Sequence, residues 1–188
     1  MVSSVLPWGL AFQDGVEDGE QLAHGAVSAS LAIGTANGGP NIGSDRLFSI
    51  ENLHGTTFND VLDGNDGANV LTGHYGSESL TGRGGADRFD YNSVTDSSPN
   101  TPDLIHDFSR AQGDKIDLVG IDAKAHGAGQ EAFTFIGQSQ FTAEGQLRYY
   151  QQSGRTYVEA NTDNTTAGPE MRIDLAGLFT PQATDFVL

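Results

Sequence analysis

The sequence predicts an all-β chain: a parallel β-roll, or β-solenoid, with flanking strands and a β-rich C-terminal cap. Three observations carry this reading. Residues 55–90 divide into four blocks of nine, GTTFNDVLD, GNDGANVLT, GHYGSESLT and GRGGADRFD. Glycine supplies 25 of the 188 residues, so turns are dense. Outside the blocks, short apolar runs alternate with polar residues, and helical spacing suggests no more than one turn, near Ala123 to Gly129.

The elements follow in chain order. Residues 1–25 carry the acidic run DGVEDGE and read as loop. AVSASLAIGTA (26–36) alternates small or apolar residues with polar ones and predicts a strand. NGGPNIGSD makes a glycine-rich turn, and RLFSIENL is a further strand-like segment before the blocks begin. After them, residues 96–103, rich in Ser and Pro, are a loop, and LIHDFS, DKIDLVGI and AFTFIG are short strands. GQLRYYQQSGRTYVEAN predicts a hairpin turning at QQSG, and MRIDLAGL and TDFVL are closing strands. Three regions result: an N-terminal loop and capping strand (1–42), the roll (43–90) and the cap (91–188).

Within a block, the first six positions are rich in Gly, Asn and Asp, which tolerate tight bends. The last three, such as Val61-Leu62-Asp63, are extended, with the middle side chain turned inward. Each block is half a coil and two blocks complete it, so side chains eighteen residues apart stack. Leu62 then lies over Leu80 on one wall, and Leu71 over Phe89 on the other. Such a core is one or two side chains thick, while each ordered residue costs about 1–2 kcal/mol of backbone entropy. Something else must tie the turns.

The sixth position supplies it. Asp60 falls over Glu78, and Asn69 over Asp87, so oxygen side chains of neighbouring turns converge. Turn oxygens join them from the first and third positions, at Gly55 and Thr57, Gly64 and Asp66, Gly73 and Tyr75, and Gly82 and Gly84. Such a set suits Ca²⁺, which takes six to eight oxygen ligands in irregular geometry, better than Mg²⁺.

Composition agrees. Nine basic residues against 25 acidic ones give a net charge of −16, which repels nucleic acid and anionic lipid and favours cations as partners. There is no Cys and no apolar stretch long enough to span a bilayer. The N-terminus lacks the charged start of an ordinary signal peptide, so export would use another route. No H-E-x-x-H or G-x-S-x-G motif is present, and the chain is not expected to be an enzyme. His24, His54, His74, His106 and His126 read as scattered surface residues.

The blocks resemble the RTX nonapeptide repeat G-G-x-G-x-D-x-U-x, a calcium-binding β-helix repeat. Gly82-Arg83-Gly84-Gly85-Ala86-Asp87-Arg88-Phe89-Asp90 matches its first and fourth glycines, its Asp and its apolar residue, and Gly64 and Gly73 lead blocks with Gly67 and Gly76. Gly43-Ser44-Asp45-Arg46-Leu47 looks like the end of an earlier half-coil that would stack on 64–69, making Asp45 a further candidate ligand. GGADRFDY, DLIHDF, GDKIDL and the terminal DFVL resemble the C-terminal region of serralysin-type secreted metalloproteases, with related regions in RTX lipases and alginate epimerases. The resemblance implies a secreted calcium β-roll whose last residues, Asp185-Phe186-Val187-Leu188, are read by type I secretion machinery while unfolded and buried afterwards. It also implies a possible catalytic domain in a longer parent chain. Departures from the pattern are Thr56, Asn65, His74 and Arg83 at position two, Phe58 at position four, the longer Glu78 and the neutral Asn69. They point to few sites, with Asp96 and Asp107 as further candidates beyond the blocks. The alternative functions are a C-terminal fragment of a secreted enzyme (a serralysin-like metalloprotease, RTX lipase or alginate epimerase) or a carbohydrate-binding or adhesive module using Tyr149, Tyr150 and Tyr157.

Overall fold

A computed structural model describes residues 5–6, 9–11, 25–38, 44–127, 129–165 and 168–188. The acidic run DGVEDGE and His24 lie outside them. The strands are β1 (Val5–Leu6), β2 (Gly9–Ala11), β3 (Val27–Ser30), β4 (Thr35–Gly38), β5 (Ser44–Arg46), β6 (Asn52–His54), β7 (Val61–Asp63), β8 (Val70–Thr72), β9 (Ser79–Thr81) and β10 (Arg88–Asp90). The cap adds β11 (Asp103–Ile105), β12 (Lys115–Asp117), β13 (Thr134–Phe135), β14 (Gln146–Gln152), β15 (Arg155–Asn161), β16 (Met171–Ala176) and β17 (Phe186–Val187). Short 3₁₀ turns at Val94–Ser97 and Ala183–Asp185 are the helical pieces among the described residues.

The last three residues of every block form a strand, as the extended triplets require. Successive triplets alternate between two sheets. One runs β1-β2-β6-β8-β10-β12-β17, and the other β13-β14-β15-β16-β11-β9-β7-β3-β4-β5. Within the blocks the pairing is parallel, with Leu62 on Leu80 and Leu71 on Phe89.

The same two apolar columns continue beyond the blocks. One reads Leu53, Leu71, Phe89, Ile116, Phe186, and the other Ala29, Leu62, Leu80, Ile105, Leu175. All ten side chains are buried in one hydrophobic cluster. Each large one contributes about 1.5–3 kcal/mol, because its apolar surface leaves water. The cap's long antiparallel strands β14, β15 and β16 join the second column through β11 and bring Leu147, Val158 and Ile173 into the cluster.

Four expectations change. AVSASLAIGTA is not one strand: it folds back between β3 and β4, with Gly34 at a φ of 68°, which a residue without Cβ adopts freely. The half-coil before the blocks is Asn52–His54, paired with β8, rather than the segment ending at Asp45. Asp45 sits in β5, antiparallel to β4, because that segment closes the hairpin sheet instead of winding a coil. The region near Ala123 to Gly129 forms turns but no helix among its described residues.

Candidate metal centre

Each sixth-position side chain turns back under its own block. A Cβ at Gly64 would collide with Asn69 Oδ1 and lie 2.6 Å from the carbonyl oxygen of Gly82 in the next coil. At Gly55 it would meet Asp60 and lie 2.7 Å from Gly73 O, and at Gly73 and Gly82 it would strike Glu78 and Asp87. The leading glycines thus leave cradles for the sixth-position side chain of their own block, and at Gly55 and Gly64 a carbonyl of the following coil enters as well.

Stacking ties the acids to the backbone in a regular way. The N–H of Asn69 donates to Asp87 Oδ1 over 2.9 Å, that of Glu78 to Asp103 Oδ1 over 2.9 Å, and that of Asp87 to Asp114 Oδ1 over 3.0 Å. Val27 N–H donates likewise to Asp60 Oδ1 at 2.7 Å. One carboxylate oxygen is thereby committed to the coil before it. The second oxygens of Asp87 and Asp103, and both of Glu78, are buried with no hydrogen-bond partner. Orphaned buried acceptors carry a large desolvation cost unless a proton or a cation meets them.

The electrostatics follow. Burial holds Glu78 far above the usual carboxylate range, and Asp103, Asp60 and Asp96 add to the effect. Burial pushes Asp87 up to about 7, helped by Asp114 and Asp107 and opposed by the Asn69 N–H. Asp103 and Asp114 are raised for the same primary reason, and so is the Tyr91 hydroxyl beside Asp103. Glu78 and Asp103, both ionised, only repel; a shared proton or a positive ion is needed to join them.

The expected residues are placed unevenly. Asp60 stacks on Glu78 and Asn69 on Asp87, in the eighteen-residue register of their strands. Asp60 is buried and receives the hydroxyl of Thr56 at 3.1 Å. Asn69 directs its oxygen to Asn65 N–H at 2.8 Å and its amide to Glu51 O at 2.9 Å. Asp107 lies against the last block, accepting the N–H groups of Gly82 and Arg83 at 2.9 and 2.7 Å. Asp96 is buried and closes the 3₁₀ turn through Asn92 and Ser93 N–H. Thr57 and Tyr75 sit on exposed turn positions, and Asp66 lies under Gly84, whose added Cβ would be 3.3 Å from its Cα. Asp45 lies in β5, the edge strand of the second sheet, separated from β7 by β3 and β4.

Sequence reasoning missed Asp103 and Asp114, which extend the two columns of acids past the blocks. Their signal was available: acid, one residue, inward apolar residue recurs at Asp60–Leu62, Glu78–Leu80, Asp87–Phe89, Asp103–Ile105 and Asp114–Ile116. The spacing had stretched to 25 and 27 residues, which hid the continuity. Among the described residues no three His, Cys, Asp or Glu side chains form a ready cage, so any ion here would rely on carboxylate pairs with turn carbonyls.

Residues 24–188 match the family described as peptidase M10 serralysin C terminal. The chain belongs to that family. The serralysin C-terminal region carries RTX repeats, a repeat known for calcium binding, and is not the catalytic part of the peptidases. This family member is also similar to the AlgE6R2 subunit of the Azotobacter vinelandii mannuronan C5-epimerase, with 24% identity and a TM-score of 0.47 over 73% of this chain and 80% of that one. The AlgE6R3 subunit of the same enzyme gives 22% identity and a TM-score of 0.42 over 72% and 76%. No curated protein sequence matches it.

Proposed function

We propose that the chain is a noncatalytic calcium-binding module that completes its folding when Ca²⁺ binds, in a protein sent out of the cell by the type I route. The observation that carries this reading is the set of buried, unpartnered oxygens on Glu78, Asp87 and Asp103. These donors fit the ion: they are hard oxygens, stacked in pairs, beside glycine cradles already fenced by turn carbonyls.

Asp60 with Glu78 and Asn69 with Asp87 would hold calcium between the blocks, and Glu78 with Asp103 and Asp87 with Asp114 would extend the sites into the cap. Bound calcium would supply the positive charge these carboxylates lack. The chain's own part is to commit one oxygen of Asp87, Asp103 and Asp114 to a backbone N–H, fixing those carboxylate planes, and to keep water out with the apolar columns. Inside a cell, where free calcium is scarce, the repelling acids would keep the coils loose and exportable. Outside, binding free energy becomes folding free energy. Any catalytic activity of the parent protein would reside in another part of a longer chain.

The test is a calcium titration of the chelator-treated chain, followed by circular dichroism and calorimetry together. A cooperative gain of β signal that tracks heat of binding is expected. An unchanged spectrum with no heat would remove the reading. Magnesium at the same concentration should be much less effective.

A further inference from the structure

Two of the five histidines, distant in sequence, meet in the fold. His54 ends β6, and His74 is the second residue of the turn after β8, the strand paired in register with β6. Their ring centroids are 6.1 Å apart with the planes inclined at 31°, and both side chains are half-buried. Two imidazoles on one tetrahedral ion, with metal–nitrogen bonds of about 2.0–2.1 Å, hold their centroids roughly 5–6 Å apart. The observed separation lies at the upper edge of that range.

A second observation concerns the backbone. His74 has a φ of 67°, in the left-handed region that a side chain disfavours. Arg83, at the same position of the next block, is also left-handed, with a φ of 71°, and is held there by two hydrogen bonds to Asp63. For His74 the neighbour is the His54 ring. The left-handed turn is common to both blocks, and in this one it sets the His74 ring beside His54.

We propose that His54 and His74 bind one borderline transition-metal ion, with Zn²⁺ as its representative, on the outer face of the roll. Imidazole suits Zn²⁺, Ni²⁺ and Cu²⁺, whereas Ca²⁺ prefers oxygen, so this site and the acid columns select different ions. No third His, Cys, Asp or Glu among the described residues completes a cage, so water fills the other positions. Asp90 stands on the same row beyond Thr72, accepting its hydroxyl at 3.2 Å, and adds negative charge nearby. Because the two imidazoles come from successive coils, the ion would staple the coil of β6 to the one that follows. This proposal does not depend on calcium binding elsewhere.

The test uses the whole chain in saturating calcium, titrated with Zn²⁺ by calorimetry and followed by thermal unfolding. One equivalent should bind, with a rise in the unfolding midpoint. His54→Gln and His74→Gly should each weaken binding at least tenfold and abolish the rise. His126→Gln, beside Glu144 in the cap, should change neither. His74→Gly relieves the left-handed backbone and is expected to fold at least as well as the parent chain. Retention of parental affinity in either variant overturns the proposal. So does loss of binding confined to His126→Gln, or the absence of any Zn²⁺ heat from the parent chain.

Discussion

At the scale of single residues, the buried acids govern how the chain answers to pH. Asp87 moves from its ordinary 3.8 to about 7 in the fold, and Glu78, Asp103 and Asp114 move in the same direction. A carboxyl whose folded value is raised binds its proton more tightly in the fold than in the unfolded chain. For Asp87 and Asp103 the resulting contribution is intact below about pH 4 and is lost as pH rises to about 7, and for Glu78, raised to about 11, the loss continues above that. Without calcium, the fold should melt at a higher temperature at pH 5 than at pH 8; with calcium the order should reverse, since protons compete for the same oxygens. Glu78→Gln removes a carboxyl that must take up a proton to be buried at pH 8, so it should raise the pH 8 melting temperature in chelator, flatten the pH dependence and weaken calcium binding. Thermal scans of both proteins at the two pH values check this. Equal metal-free midpoints for the parent chain at pH 5 and pH 8 would sink it.

At the scale of the element, the working unit is a three-residue strand closed by a six-residue turn. Leu71 is fully buried at the centre of one column, whereas Val61, an outward residue of β7 in the other sheet, is 47% exposed. Leu71→Ala should cost about 2–5 kcal/mol in calcium-loaded protein, and Val61→Ala about 0.5 kcal/mol or less. Denaturant unfolding separates the two, and similar losses would contradict an inward–outward alternation. The turns are equally tight. Gly85 has a φ of 101°, and a Cβ there would sit 2.5 Å from backbone atoms of Gly67 in the coil below. Gly85→Ala should therefore destabilise by more than the about 1–3 kcal/mol typical of backbone strain alone. These elements were legible because the sixth and eighth positions repeat without a gap. The β3–β4 hairpin was not, since small residues alternate with polar ones on both sides of Gly34 and only the turn distinguishes two short strands from one long one. Nor was the position of Tyr149. It faces the core and stacks on Phe135 at 6.2 Å, while Tyr150 and Tyr157 stack on each other at 4.8 Å on the opposite face beneath Arg148 and Arg172. The three tyrosines do not form one platform for a sugar.

At the scale of the whole molecule, roll and cap share two continuous columns, and the chain's last residues close one of them. Asp185 is buried and receives Arg110 Nε on Oδ1 at 2.6 Å and Gln182 N–H on Oδ2 at 2.7 Å, while Arg110 also lies over the Phe179 ring at 4.7 Å. Phe186 packs beside Phe135, with ring centroids 5.2 Å apart, and pairs in register with Ile116. The fold thus builds this tail into the cap. Deleting residues 185–188 should lower the unfolding midpoint of the calcium-loaded protein as well as block export, so truncation alone cannot tell a secretion signal from a structural strand. Arg110→Gln can. It removes the charged donor and leaves the C-terminal sequence intact, and a hydrogen bond to a charged group is worth about 1.5–3 kcal/mol. If the tail is read while unfolded, this variant should leave cells at the parental rate and then prove less stable outside. Should Arg110→Gln fail to be exported as completely as the truncation, stability rather than the tail's own sequence would govern export.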